Sequence, residues 1–126
     1  MFEYKGAIKN IIDGDTFEAS VDLGFHTYSR QRFRLVNYSA PEVHGPEKAF
    51  GIMAKSKLEE LLPLESEVIF SSTKTEKFGR WLADVTFQGR SLSDLLVELG
   101  YGLPWNGRGT RPSFDLDRAY PIVPQR

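Results

Sequence analysis

Three short stretches gather residue types that can do chemistry. In Ile12-Asp13-Gly14-Asp15-Thr16 two carboxylates flank a glycine. Hard cations such as Ca²⁺ or Mg²⁺ take oxygen ligands, and a rigid turn holding two carboxylates supplies them. The same residues also suit a plain turn, because Asp-Gly is a favoured turn pair. The second stretch runs from Arg32 through Arg34 to Ala40-Pro41-Glu42. The planar fork of an arginine can clamp phosphate oxygens bidentately, and a glutamate facing the same cavity can take a proton from an attacking water. The third is Lys77-Phe78-Gly79-Arg80, a polar turn presenting Arg80 at the head of an apolar run. Two arginines, a glutamate and a carboxylate pair brought together would suit phosphodiester hydrolysis. The cations stabilise charge developing on phosphorus, and the carboxylate activates water.

These residues need elements to position them. After the Asp-Gly-Asp turn, Phe17, Ala19, Val21 and Leu23 alternate with Thr16, Glu18, Ser20 and Asp22, the period of a half-buried strand. Gly24 marks a turn. A third strand is predicted at about 28–36, with Arg30, Arg32 and Arg34 on one face and Phe33 and Leu35 on the other. Arg30 and Arg32 read best as a solvated face, whereas Arg34 lies closest to the loop carrying Glu42. Residues 37–46 read as that loop, with Pro46 suited to a first helical turn. Phe50, Ala54, Leu58 and Leu61 recur at helical spacing up to Pro63.

Val68-Ile69-Phe70 and Leu82 to Phe87 read as two further strands, Trp81, Ala83, Val85 and Phe87 alternating along the second. Ser91 and Asp94 suggest the N-terminal cap of a second helix. Its apolar stripe is Leu92, Leu95, Leu96 and Leu99, and Gly100 ends it. The resulting order, β-β-β-α-β-β-α, matches the five-stranded OB-fold barrel, a mainly β fold carrying helices (α+β). Residues 1–105 are read as this domain. Residues 106–126 are read as an irregular C-terminal extension, with a short helical turn at 113–119.

Composition bounds the partners. The chain has 126 residues, 40% hydrophobic and 13% aromatic, which suits one domain with a real core. Sixteen Lys and Arg against seventeen Asp and Glu leave a net charge of −1, which excludes binding nucleic acid by bulk positive charge while leaving local basic clusters. Without cysteine there is no disulfide, thiolate metal site or cysteine nucleophile. Two histidines, His26 and His44, do not make a His-rich zinc site. No apolar stretch approaches the roughly 20 residues of a membrane span. Met1-Phe2-Glu3-Tyr4-Lys5 lacks the apolar core of a signal peptide, so a soluble, cytoplasmic monomer is expected, without membrane contact.

At this point the chain resembles the staphylococcal-nuclease-like (thermonuclease) domain. The resemblance spans about residues 4–105. It rests on Ile-Asp-Gly-Asp-Thr at 12–16, Phe-Arg-Leu at 33–35, Ala-Pro-Glu at 40–42, Gly-Pro-Glu at 45–47 and Lys-Phe-Gly-Arg at 77–80, all in the family's order. It implies an OB-fold barrel, a divalent cation (Ca²⁺, with Mg²⁺ or Mn²⁺ as alternatives), and endonucleolytic cleavage of DNA, single-stranded by preference, and of RNA. By the same resemblance Asp15 is the first metal carboxylate, with Asp13 behind it, and Ala40 offers the metal a backbone carbonyl. Arg34 and Arg80 are the phosphate-binding catalytic arginines and Glu42 is the general base. Lys77 and Phe78 correspond to a substrate-contacting pair, whereas the family's base-packing tyrosines are unmatched, which leaves Trp105, the only aromatic nearby, as the candidate substrate contact there.

One departure stands out. Ser39 occupies the position of the family's second metal carboxylate. A serine removes a formal charge but keeps a hydroxyl that can ligate or hold a water. Glu18 or His44 could compensate, but nothing in the spacing compels either, and His44 reads more simply as a solvated loop residue. The alternative function is a non-catalytic OB-fold module binding nucleic acid or a protein partner.

Overall fold

The computed structural model describes residues 2–75 and 79–122. A long strand β1 (Glu3–Asp13) turns through Gly14 into β2 (Thr16–Asp22), which pairs antiparallel with β3 (Tyr28–Leu35). The register of β1 on β2 shifts between Ile8 and Asn10 and again between Ile11 and Asp13. Such irregularities bend a strand and increase its twist. The first half of β1 can therefore pair on its other edge with β5 (Glu67–Thr75), from Glu3 opposite Ser71 to Ala7 opposite Glu67. β5 pairs antiparallel with β6 (Trp81–Phe87), and the start of β6 runs parallel to the end of β3, placing Phe33, Arg34 and Leu35 opposite Trp81, Leu82 and Ala83. That pairing closes a five-stranded barrel in the order β1-β2-β3-β6-β5, the OB-fold arrangement expected.

Closure removes the sheet edges and gives one interior. Ile8, Phe17, Ala19, Leu35, Phe70, Ala83 and Val85 are buried there, with Phe33 edge-on to Phe70 at 4.7 Å and stacked on Phe17 at 5.5 Å. Helix α1 (Lys48–Leu61) follows a 3-10 turn at Gly45–Glu47 and packs Ala54 and Leu58 into the core. Helix α2 (Leu92–Glu98) does the same with Leu92 and Leu96. No helix among the described residues is long and apolar enough to cross a membrane.

Five details differ from the sequence reading. The loop at 37–46 contains a short strand β4 (Tyr38–Ser39), which pairs with a later strand, Leu103–Pro104. A further short strand, Arg90–Ser91, pairs with the end of β6, so these are β7 and, at Leu103–Pro104, β8. Ser91 sits at the N-cap of α2, but its hydroxyl contacts Asp84 Oδ1 at 3.1 Å instead of capping the helix. Leu23, grouped above with the inner face, is 50% exposed because β2 ends at Asp22. Residues 113–119 form turns, with no helix.

The C-terminal segment folds back onto the barrel's helices. Ile122 N–H donates to the Gly100 carbonyl at 2.8 Å, and the Tyr120 hydroxyl donates to the Tyr101 carbonyl at 2.7 Å. The Tyr120 ring stacks on Phe50 at 4.6 Å, and Phe114 is buried.

Candidate active site

The Asp13-Gly14-Asp15 turn joins β1 to β2 at one end of the barrel. Its glycine is required by space: a Cβ on Gly14 would stand 2.6 Å from the Ala54 Cβ and 2.8 Å from the Ala40 Cβ. The turn is fixed by the Asp13 carboxylate, whose Oδ1 accepts the Asp15 N–H at 3.0 Å, an Asx-type turn. The Asp15 carboxylate faces inward, with Oδ1 accepting the Thr16 hydroxyl and Oδ2 the Ala40 N–H, both at 3.0 Å. Burial, followed by the neighbouring Asp13 carboxyl, pushes Asp15 up to about 7. The Ala40 N–H and the Arg34 guanidinium pull the other way without prevailing.

Arg34 lies at the closed end of β3 and is 7% exposed. Its Nη2 donates to the Tyr38 carbonyl at 3.0 Å, and the Trp105 ring lies over its guanidinium at 4.7 Å. A buried guanidinium is stable when its donors find acceptors and its face is covered by an aromatic. Arg80 enters from the head of β6, its Nη1 standing 3.5 Å from the Thr16 hydroxyl. Arg30 and Arg32, on the same strand as Arg34, instead pair with Glu18 at 3.3 and 3.2 Å in solvent. Burial, slight at Glu18, raises its pKa, but the two arginines outweigh it and hold the carboxyl below its usual value.

Glu42 follows Pro41 on the loop before α1. Its side chain is largely exposed, and its backbone is placed from two sides. The Glu42 N–H donates to Glu47 Oε1 at 3.1 Å. Gly51 of α1 approaches its carbonyl so closely that any Cβ there would collide with it. Trp105 is fixed by its indole N–H, which donates to the Arg108 carbonyl at 3.0 Å, and by a turn in which Asn106 Oδ1 accepts the Arg108 N–H at 2.9 Å.

Asp13, Asp15, Arg34, Ala40, Glu42, Arg80 and Trp105 all line one cavity of about 220 Å³. The site residues singled out from the sequence are thus brought together, apart from Ser39, Lys77 and Phe78, and of the two compensating groups Glu18 pairs with Arg30 and Arg32 while neither it nor His44 lines the cavity. Ser39 is fully buried in β4, its hydroxyl makes no hydrogen bond, and it does not line the cavity. Lys77 and Phe78 lie outside the described residues. A separate cavity of about 250 Å³, lined by Tyr4, Phe33, Phe70 and Trp81 among others, has no charged side chain in its described lining.

One lining residue was not found from the sequence. Arg111, in the C-terminal segment, donates from Nη2 to the Ala40 carbonyl, and its Nη1 stands 3.3 Å from Glu47 Oε1 and 3.8 Å from Glu42 Oε1. No local pattern marks it, because 71 residues separate it from Ala40.

The donor set can be tested against the divalent cation that the resemblance implies. The carbonyl assigned to the metal is engaged by Arg111, and the residue at the second carboxylate position keeps its hydroxyl out of the cavity. Both oxygens of Asp15 already accept hydrogen bonds. Among the described residues, no group of three or more His, Cys, Asp or Glu side chains is arranged to hold a metal ion. A hard cation asks for six or more oxygens, and these residues fit it poorly.

Residues 32–113 match the family described as staphylococcal nuclease homologue. That stretch takes in Arg34, Glu42, Arg80, Trp105 and Arg111, while Asp13 and Asp15 precede it. Comparison with curated proteins gives no match.

Proposed function

Because the chain belongs to the staphylococcal nuclease homologue family, matched over more than half of its length, we propose that it hydrolyses phosphodiester bonds of nucleic acid. The substrate is single-stranded or locally opened DNA, and RNA as well. The observation that carries this reading is the convergence of Arg34, Arg80 and Glu42 on one cavity beside the Asp15 turn.

In this reading Arg34 and Arg80 bind the two non-bridging oxygens of a phosphodiester. Their guanidiniums are held in place before substrate arrives, so they stabilise the extra charge of the pentacoordinate transition state without reorganising. Glu42, exposed toward solvent, accepts a proton from the attacking water. Trp105 offers a flat face beside Arg34, suited to a neighbouring base. Trp105 is half-buried and lines the cavity, and a base that stacks on it must be unpaired, which favours single strands.

The test is cleavage of heat-denatured DNA and of RNA by the purified chain, with Ca²⁺, Mg²⁺, Mn²⁺ or chelator added separately. Glu42→Gln is expected to lower the rate by about 10²- to 10⁴-fold without changing the melting temperature. Cleavage by that variant at the parental rate would remove the role given to Glu42. A folded parent that binds single strands but cleaves under none of these conditions would support the binding-module reading instead.

A further inference from the structure

We propose that Arg111 is the resident cation of this site. In this role a guanidinium supplied by the C-terminal segment provides positive charge at the Ala40 carbonyl, so that a phosphodiester binds without a divalent cation. The proposal rests on reading the cavity as a phosphodiester site. It goes beyond that reading by naming the group that balances the charge.

Charge is the first argument. Among the described residues lining the cavity, three carboxylates (Asp13, Asp15, Glu42) face three guanidiniums (Arg34, Arg80, Arg111). Whatever the protonation of these carboxylates, loss of Arg111 lowers the charge of the cavity by one unit, so an entering phosphodiester is attracted less strongly.

Placement is the second argument. The Arg111 guanidinium donates to the Ala40 carbonyl and stands beside the Glu42 and Glu47 carboxylates, so it fills a position surrounded by acceptors. Arg111 is held from behind by Glu47, which also fixes the Glu42 backbone. Its guanidinium lies 5.9 Å from the ring of the buried Phe114. The segment carrying it is anchored beyond that point, where Tyr120 packs on Phe50 and Ile122 bonds to Gly100. Arg111 is thus positioned by the fold and not by one contact, while its side chain stays 28% exposed on the cavity.

The experiment measures binding, not turnover. Fluorescein-labelled single-stranded oligothymidylate is titrated by anisotropy into the Glu42→Gln chain, which should not cleave it, in chelator and in Ca²⁺. That chain is expected to bind equally in both. Adding Arg111→Met should weaken binding by roughly 10- to 100-fold in both buffers, the size of one charged hydrogen-bonding group. Arg111→Lys, which keeps the charge but loses the fork, should fall between, and circular dichroism checks that each chain is folded. Equal binding in chelator with and without Arg111→Met overturns this proposal alone, as does a parent that itself needs Ca²⁺. A parent that binds the probe in neither buffer overturns the phosphodiester reading and this proposal with it.

Discussion

The cavity has two halves built in different ways. One half comes from barrel strands: Asp15 at the β1–β2 turn, Arg34 at the closed end of β3 and Arg80 at the head of β6. Asp15 and Arg34 are 7% exposed each, and their partners are backbone groups or neighbouring strand residues. The other half comes from the loop and the C-terminal segment: Glu42, Trp105 and Arg111. These remain partly or largely exposed, and ion pairs and short turns hold them. Side chains on rigid strands make the more precise half of a site, and segments between elements adjust more readily. Under the proposed function, two of the phosphate-facing guanidiniums, Arg34 and Arg80, sit on the rigid half, and Glu42, Trp105 and Arg111 on the adjustable one.

This contrast predicts that strand-borne residues cost both stability and activity, while loop-borne residues cost activity alone. Arg34→Ala is expected to show the largest combined effect on activity and stability. It should lower cleavage by about 10²- to 10³-fold and also destabilise the fold by about 1–3 kcal/mol, since the buried Tyr38 carbonyl loses its donor. Denaturant unfolding beside the cleavage assay measures both. If Arg34→Ala left stability unchanged, the distinction from Glu42→Gln would fail.

A second effect belongs to the rigid half alone. The Asp15 carboxyl is raised from 3.8 to about 7 in the folded chain. Between those values the folded state holds a proton that the unfolded state has released, so this group makes stability fall as pH rises from about 4 to about 7. Asp15→Asn should flatten that slope in unfolding measurements across the window. An unchanged slope would mean that other groups dominate it.

The smallest effect is predicted on the same strand. Arg32→Ala removes one of two exposed contacts to Glu18, worth about 0.2–1 kcal/mol, and should leave cleavage untouched. A loss of activity in that variant would extend the site along β3 and blur the comparison.

The strand pattern shows why Arg34 differs from its neighbours. Alternation at period two places Arg30, Arg32 and Arg34 on one face, and the sequence distinguished them only through the nearness of Arg34 to the Glu42 loop. The barrel separates them more sharply. β3 pairs with β2 along its whole length, but β6 covers only Phe33, Arg34 and Leu35. Arg34 is therefore enclosed by strands on both sides, and Trp105 closes over it. Its two neighbours keep one open edge and meet solvent.

The residue types, their order and their local periods were sufficient to indicate a five-stranded barrel and to select Asp13, Asp15, Arg34, Glu42 and Arg80. Alternation and turn chemistry are local properties, readable without neighbours in space. Only the tertiary structure decided what occupies the Ala40 carbonyl and where Ser39 points. Pairing between β4 and β8 buries Ser39, and the return of the C-terminal segment, anchored by Phe114, Tyr120 and Ile122, delivers Arg111 across 71 residues. Neither outcome is encoded in any window of the chain, because each depends on which distant backbone closes over the site.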